Sequence, residues 1–233
     1  GFEPYVGFVV PQTSASTEAV LMTTVFSDYV LAARGTSIHR SASTILTTKI
    51  TSSETMSGSG VIIASSTTSF SASGTLIIGS EQFTYTGIST NTFTGVTRAT
   101  SSTTAAAHNT NVVVSESWTS IDSGRTGAKK YNFEKFNFDG SDKLIVVDQA
   151  NAPTVFNTSL VATDVSTSSV AGAKHVVAFK SHMFYSGMAA TPQEVVFSVP
   201  FDEDNFSSGS GAGSIKVDDT IVGLKVFRDN LFI

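Results

Sequence analysis

The sequence contains no cysteine, and this excludes disulfide bonds, cysteine zinc sites and thiol catalysis. Charge is scarce as well, since charged residues make up only 14% of the 233 residues. No apolar run approaches the roughly 20 residues that a membrane helix needs. Trp118 is the only tryptophan, so few aromatic platforms exist for stacking sugars. These absences remove several classes of site and leave the backbone pattern as the main source of information.

Serine and threonine are abundant and supply 66 of the 233 residues. A polar surface with little charge is typical of extracellular and virion β-proteins. Hydrophobic residues make up 40% of the chain, which indicates a folded rather than a disordered protein. The net charge of −5 argues against a surface that coats nucleic acid.

An aromatic residue followed by a polar turn and an apolar strand recurs four times. The four copies begin at Phe26, Phe138, Phe179 and Phe227. Successive copies are therefore 112, 41 and 48 residues apart. A hairpin that recurs at roughly 40–50 residues is typical of a β-propeller with one four-stranded blade per repeat. We expect these phenylalanines to be buried anchors of the blades. Asp28, Asp142 and Asp229 recur within the phrases, as a requirement of the turn would predict.

The spacing between the first two phrases is about 60–70 residues too long for one blade, which indicates an insertion. Between residues 55 and 115, Glu81 and Arg98 are the only charges, and glycines separate strands of about 4–6 residues. The sequence therefore predicts an all-β partial propeller with about three visible blades. Residues 1–54 would form the first blade region, 55–117 an inserted small β-barrel or sandwich lobe, and 118–233 further blades.

Two details of the predicted propeller concern its last part. The chain stops at 233 inside an apolar strand, and a domain seldom ends on such an unpaired edge. We therefore expect the chain to be truncated there, with further blades beyond it. The stretch 207–214 consists of serine, glycine and alanine, which predicts a flexible loop.

Two stretches resemble bacteriophage virion proteins. Residues 70–114 resemble a small domain of tail and other structural proteins of marine phages. The stretches that carry this resemblance are 70–81, 85–87, 93–98 and 104–108. Ala99 departs from that pattern, since the family usually has glycine after the arginine. Residues 174–233 resemble the propeller of the tail nozzle protein of short-tailed phages. The stretches that carry this resemblance are 174–185, 192–198 and 221–232. The second resemblance implies a ring of subunits that closes the tail tube below the adaptor and gates DNA exit.

The histidines share no metal-ligand spacing, so we expect turn or surface histidines rather than a zinc site at His39, His108, His175 and His182. His108 is expected to hydrogen-bond a turn carbonyl and fix the last loop of the lobe, with a proton switch as the alternative. Arg98 and Glu81 are expected to form an internal ion pair.

The acidic run at 202–205 has oxygen ligands for calcium but lacks the glycine and closing glutamate of an EF-hand, so we expect a solvated loop. Arg125, Lys129 and Lys130 form a small basic cluster that could contact DNA, although a solvated face is the simpler interpretation. No serine occupies a nucleophile elbow. Solvent-facing side chains are expected at His39, His108, Asp148 and Asp202.

These patterns predict a non-enzymatic structural component of a phage virion tail, at the nozzle or the end of the tail tube. No catalytic residue, metal or cofactor is expected. The expected partners are further copies in a ring, the adaptor and fibre proteins of the tail, and ejected DNA in passing. The alternative is a receptor- or glycan-binding module of a phage tail or surface protein. A third class, a sialidase-type hydrolase, would need clustered arginines, and the five arginines are scattered in sequence.

Overall fold

The computed structural model describes residues 19–41, 47–50, 60–68 and 70–233. Within these residues the chain is all-β, with several antiparallel sheets, none of them closed, and two single-turn 3₁₀-helices at Ser168–Val170 and Ser208–Ser210. The predicted all-β class is confirmed, whereas the propeller and the inserted lobe stay predictions. Parts of the predicted first blade region, at 1–18, 42–46 and 51–54, lie outside the described residues.

The described residues form twenty-one strands. In chain order the strands are β1 (Val20–Phe26), β2 (Tyr29–Arg34), β3 (Ser37–Arg40), β4 (Thr47–Lys49), β5 (Gly60–Ile63), β6 (Gly74–Ile78), β7 (Glu81–Tyr85), β8 (Gly87–Ser89), β9 (Thr92–Val96), β10 (Val113–Glu116), β11 (Thr119–Asp122), β12 (Asn132–Phe136), β13 (Lys143–Val147), β14 (Thr154–Phe156), β15 (Ala162–Asp164), β16 (His175–Phe179), β17 (His182–Ser186), β18 (Glu194–Phe197), β19 (Gly213–Lys216), β20 (Lys225–Phe227) and β21 (Asn230–Phe232).

The chain divides into two compact units. The first unit takes its described residues from 39–119, and the second unit consists of 19–38 together with 120–233. Four sheets carry the second unit, with the strand orders β1-β2-β3-β11, β12-β13-β14-β15, β16-β17-β18-β19 and β20-β21. We name them sheet 1 to sheet 4. In each of these sheets the first two strands form an antiparallel hairpin.

The central strands of sheets 2 and 3 bury side chains on both faces. In β13, Leu144 and Val146 belong to one apolar cluster, whereas Ile145 and Val147 belong to another. The pleat of a strand sends successive side chains to opposite faces, so this uninterrupted apolar run serves two layers at once. In β17 the same alternation places Met183 in one cluster and Phe184 in the next. A strand of this kind has to be covered on each side by another sheet.

Three apolar layers result, and each joins two consecutive sheets. The first layer combines residues of sheets 1 and 2, including Met22, Leu31 and Phe156. The second combines residues of sheets 2 and 3. The third combines residues of sheet 3 with Leu224, Val226 and Leu231 around sheet 4. The sheets therefore pack face to face in the order in which the chain makes them.

Three of the four aromatic phrases close the same two-residue turn. Phe26 pairs with Tyr29, and the two residues between them, Ser27 and Asp28, have φ of 48° and 65°. The turns at 180–181 and 228–229 likewise have positive φ at both central residues. Positive φ at both positions defines the type I′ turn, whose twist matches that of the flanking strands. The repeat seen in the sequence is therefore a repeat of hairpins.

The expectation that all four phenylalanines are buried anchors is wrong. Phe26 is buried, but Phe138 and Phe179 are half-buried and Phe227 is 57% exposed. In sheet 2 a longer loop joins the strands, and Phe136, not Phe138, pairs with the first residue of β13. Phe227 is exposed because strand alternation turns Val226 towards the third layer and Phe227 to the opposite face.

The predicted loop at 207–214 ends two residues earlier than predicted. Its last residues begin β19, which pairs with β18 and completes sheet 3. Gly213 opens that strand because a Cβ at this position would lie 2.9 Å from the ring of Phe197. The glycine at this position is therefore explained by the close approach of an aromatic side chain.

The first unit has two sheets, with the orders β4-β10-β6-β7 and β5-β9-β8. They share one apolar core that includes Leu76, Phe83, Tyr85 and Phe93. The ring of Tyr85 meets that of Phe93 edge to face at 4.9 Å, and its hydroxyl donates to the Ser71 carbonyl at 2.8 Å. These strands lie close to the positions that the glycine spacing predicts.

The type I′ turns give a test of the repeated hairpin. Replacing Lys180-Ser181 by Asn-Gly should raise the free energy of unfolding by about 1 kcal/mol, because these residues tolerate positive φ best. Urea unfolding followed by circular dichroism measures the change. The control Ser214→Gly, placed in β19, should instead lower stability because glycine weakens a strand. A double variant that is less stable than the native chain would contradict the turn assignment.

Candidate functional site

No group of three or more histidine, cysteine, aspartate or glutamate side chains in the described part of the chain could hold a metal ion. His182 uses its Nδ1 to contact the Ser198 carbonyl at 2.6 Å and packs edge to face on Phe197. Burial and the charge of Lys174 lower the pKa of His175, so its ring stays neutral near pH 7. His39 is buried, contrary to the prediction of a surface position.

The first unit contains a buried carboxylate surrounded by hydrogen-bond donors. Glu81 is fully buried at the start of β7, and Arg98 donates to it twice, from Nε at 2.8 Å and from Nη2 at 2.7 Å. The backbone N–H groups of Ala106 and Ala99 donate to it at 2.8 Å and 3.3 Å. His108 Nε2 lies 2.8 Å from its Oε2. The predicted pair of Arg98 and Glu81 is confirmed.

This arrangement keeps Glu81 ionised. Burial alone would raise the pKa of the carboxyl, but the hydrogen bonds from Arg98, Ala106 N–H and His108 lower it to about 2. Glu81 therefore carries a full negative charge at every physiological pH. A group of this kind holds its donors in place and is not suited to proton transfer near neutrality.

The group fixes the loop that follows β9, although not in the predicted way. His108 contacts the Glu81 carboxylate and not a turn carbonyl, and its ring also packs against Phe83 at 5.6 Å. Arg98 Nη2 additionally donates to the Ala106 carbonyl. Ala99 has a φ of 53°, in the region that glycine prefers, so the departure from the family pattern falls on a strained turn.

A second buried ion-pair group lies in the second unit. Arg125 donates from Nε to Asp122 at 2.6 Å, from Nη1 to Asp148 at 2.8 Å, and from Nη2 to the Thr154 hydroxyl. Its guanidinium lies over the ring of Tyr131 at 5.7 Å. Burial lowers the pKa of Arg125, but the charges and hydrogen bonds of Asp122 and Asp148 raise it by more. The net pKa lies above its ordinary value, so Arg125 stays charged. The expected solvated face is wrong for Arg125.

Asp148 is fully buried between β13 and β14, which corrects its predicted solvent-facing position. Its Oδ1 accepts the backbone N–H groups of Ala150 and Asn151 at 3.0 Å and 2.8 Å, and its Oδ2 accepts the Asn151 amide at 2.7 Å. Burial raises the pKa of Asp148, but these hydrogen bonds and Arg125 bring it below its ordinary value. The carboxylate therefore shapes the turn at 148–151.

That turn holds the chain segment that leads from sheet 1 into sheet 2. Lys129 N–H donates to the Asp148 carbonyl at 3.0 Å. The side-chain amide of Asn151 accepts from Thr126 N–H at 3.2 Å and donates to the Thr126 carbonyl at 3.1 Å. We name residues 123–131 the entry connector.

The same turn holds the segment that leads from sheet 2 into sheet 3. Gly172 N–H donates to the Asn151 carbonyl at 2.9 Å. Gln149 N–H donates to the Ala173 carbonyl at 3.1 Å. We name residues 165–174 the exit connector. One turn thus fixes both chain segments that join sheet 2 to its neighbours.

The acidic run is more ordered than the predicted solvated loop. Lys143 Nζ lies 2.8 Å from Glu203 Oε1 and 3.0 Å from Asp139 Oδ2. Asp204 Oδ1 accepts the Ser166 N–H at 2.8 Å. The run therefore anchors its loop to sheet 2 and to the exit connector. Its remaining aspartate, Asp202, is exposed as expected.

An open groove of about 670 Å³ lies between the β1–β2 hairpin and the loop that joins β12 to β13. Val25, Phe26 and Phe136 supply its apolar lining. Polar groups line it as well, among them Asp28, Lys135, Asn137 and Asp142. Asn137 donates to Asp142 at 2.9 Å, so part of this polar lining is already paired.

No protein-family model, curated protein or solved structure matches this chain. The described residues include no helix that is both long enough and apolar enough to cross a membrane. The contacts within the protein are therefore the basis for any assignment of function.

Sequence reasoning missed the role of Asp148 and Asp122. Arg125 and Asp148 are 23 residues apart, and no local spacing links them. One signal was present, since an aspartate at a strand end followed three residues later by asparagine favours a side-chain-stabilised turn. That signal indicates the turn but not the arginine that it binds.

The Glu81 group gives a test of electrostatic stability. Its folded pKa of about 2 lies below the ordinary value of 4.5, so its contribution is complete above pH 4.5 and is lost as pH falls towards 2. Glu81→Gln should therefore lower the free energy of unfolding at pH 7 by about 3 kcal/mol and flatten its dependence between pH 5 and about 2.

Urea unfolding at a series of pH values measures both effects. The control Asp218→Asn changes an exposed carboxylate and should leave the curve unchanged. If Glu81→Gln matched the native chain at pH 7, the buried carboxylate would not hold the loop.

Proposed function

We propose that this protein is a structural component of a phage virion tail, at the nozzle or the end of the tail tube, and that it acts through assembly and not through catalysis. The observation that carries the proposal is the serial packing of sheets 1 to 4 through strands buried on both faces. Packing of this kind is how the blades of a propeller contact one another, and it gives a rigid platform.

The buried charges support an assembly role. Glu81 and Arg98 fix a loop of the first unit, and Arg125 and Asp148 fix the connectors of the second. Each group is charged and hydrogen-bonded to nearby backbone or side chains, which is what a structural role requires. Catalytic groups, by contrast, usually have a pKa moved towards the working pH.

Sheet 4 presents an exposed apolar face, which supports a role in binding a partner. Phe227 and Phe232 lie on the face of sheet 4 that points away from the third layer and are 57% and 55% exposed. Large exposed apolar groups that lie together mark interaction surfaces.

The second candidate is a receptor- or glycan-binding module, and the groove beside Phe26 and Phe136 favours it. Aromatic edges beside carboxylate and amide groups are what a sugar would contact. A glycan array separates the two proposals, since a scaffold gives no specific signal. If a signal appeared, Asn137→Ala should remove it without affecting folding.

Loss of the protein tests the assembly proposal. Phage particles that lack it should fail at tail completion or DNA retention, and the purified protein should show no hydrolytic turnover. Complementation with Val146→Asp should fail, because Val146 is fully buried in the first layer. The matched change Val161→Asp, at a side chain that is 57% exposed, should restore infectivity. Electron microscopy and plaque counts provide the measurements. Particles that are complete and infectious without the protein would contradict the proposal.

A further inference from the structure

Positive charge is concentrated in one part of this acidic chain. The first strands of sheets 2, 3 and 4, with the residues directly beside them, occupy 129–136, 174–180 and 225–228. These segments contain seven of the chain's fourteen lysines and arginines but one of its nineteen acidic residues. The seven are Lys129, Lys130, Lys135, Lys174, Lys180, Lys225 and Arg228. We name this set the basic strip. Half of the basic residues of a chain with a net charge of −5 therefore lie in these three segments.

Specific contacts bring the three segments together. Asn132 of β12 donates to the Lys174 carbonyl at 2.5 Å, beside the start of β16. Glu134 of β12 accepts the backbone N–H of Ala178 in β16 and interacts electrostatically with Lys225 of β20. β12 therefore lies beside β16, and β16 lies beside β20, so the three segments of the strip occupy neighbouring sheet edges.

The same contacts explain why one acid is present. Each first strand is the edge of its sheet, and an edge leaves backbone N–H groups unpaired. Glu134 satisfies one of these groups on the neighbouring sheet. This contact accounts for the presence of Glu134. No lysine of the strip has its ammonium within 4.0 Å of the Glu134 carboxylate.

The basic side chains themselves are exposed and available. All seven are exposed to solvent, and none contributes to the salt bridges found among the described residues. Lys180 and Arg228 lie over the rings of Phe179 and Phe227, each at 5.2 Å. By contrast, Lys143 and Arg125 outside the strip are paired with carboxylates. A group of unpaired cations creates a positive local potential that attracts a polyanion.

We propose that the basic strip binds the phosphate backbone of nucleic acid without sequence preference. Lysine is the main residue of the strip, and it binds phosphate as a point charge. Phe133, at 39% exposure, and Phe227 lie among the lysines, where they can contact bases or sugars. The inference deepens the proposed tail role and rests on it for its setting, since a tail-end protein lies on the path of ejected DNA.

The test uses the full chain and labelled nucleic acid of random sequence, as a duplex and as a single strand. Fluorescence anisotropy across about 50 to 200 mM salt should give a log–log slope near −5 for the duplex. The triple variant Lys130→Gln, Lys174→Gln, Lys225→Gln should reduce the slope by about 3 and weaken binding about tenfold or more at the lowest salt. Thermal unfolding verifies that these surface changes leave the fold intact.

Two single variants provide controls. Lys216→Gln removes an exposed lysine from β19, the outer strand of sheet 3, and should leave affinity and slope unchanged. Glu134→Gln keeps an acceptor for Ala178 N–H but removes the one negative charge of the strip, so it should strengthen binding. Opposite effects from neighbouring positions would be hard to obtain from a structural defect.

Three outcomes would overturn the proposal. The first is the absence of binding by the native chain at low salt. The second is an equal loss of affinity in the triple variant and in Lys216→Gln, which would indicate attraction by overall charge. The third is tighter binding of heparin than of DNA at equal charge concentration, which would make an anionic glycan the ligand. Because these measurements need no virion, their failure is distinguishable from a failure of the tail assignment.

Discussion

The hydrogen bonds of the Asp148 carboxylate are the interaction on which the second unit depends. One buried side chain accepts two backbone N–H groups of its own turn, the amide of Asn151 and the guanidinium of Arg125. The turn that it shapes holds the entry connector and the exit connector. Since each connector leads into the next sheet, the positions of sheets 1, 2 and 3 are set around one point. Apolar layers fill the space between the sheets, but apolar contact alone has no direction.

The protein uses its few charges in two ways. Buried charges are paired and hold backbone, as the Glu81 and Arg125 groups show. Removing one partner of such a pair costs far more than the pair itself contributes, because it leaves a charge buried and unpaired. Exposed positive charge is concentrated along the first strands of sheets 2, 3 and 4, in the basic strip. Charged residues make up only 14% of the chain. Those described here either hold the backbone in buried pairs or lie exposed in the basic strip.

The sequence predicted the local features of this fold well and the long-range ones poorly. Hairpins at Phe26, Phe179 and Phe227 could be predicted because turn chemistry and strand alternation are local. The exposure of Phe227 could not be predicted, because the repeated sequence motif does not determine which face of a strand packs against the core. The Arg98–Glu81 pair was predictable because no other charges lie near it in sequence. The pairing of Arg125 with Asp148 depends on how two sheets are connected, which spacing does not encode.

Hydrogen–deuterium exchange of Asp148→Asn tests the account most directly. The substitution keeps the size of the side chain but removes the charge that binds Arg125. If the Asp148 turn sets the positions of the sheets, amides of the entry connector and of the exit connector should both exchange faster than in the native chain, while β13 stays protected. The same change at exposed Asp218 should leave both connectors as they are. Faster exchange confined to residues 148–151, with both connectors unchanged, would contradict the account.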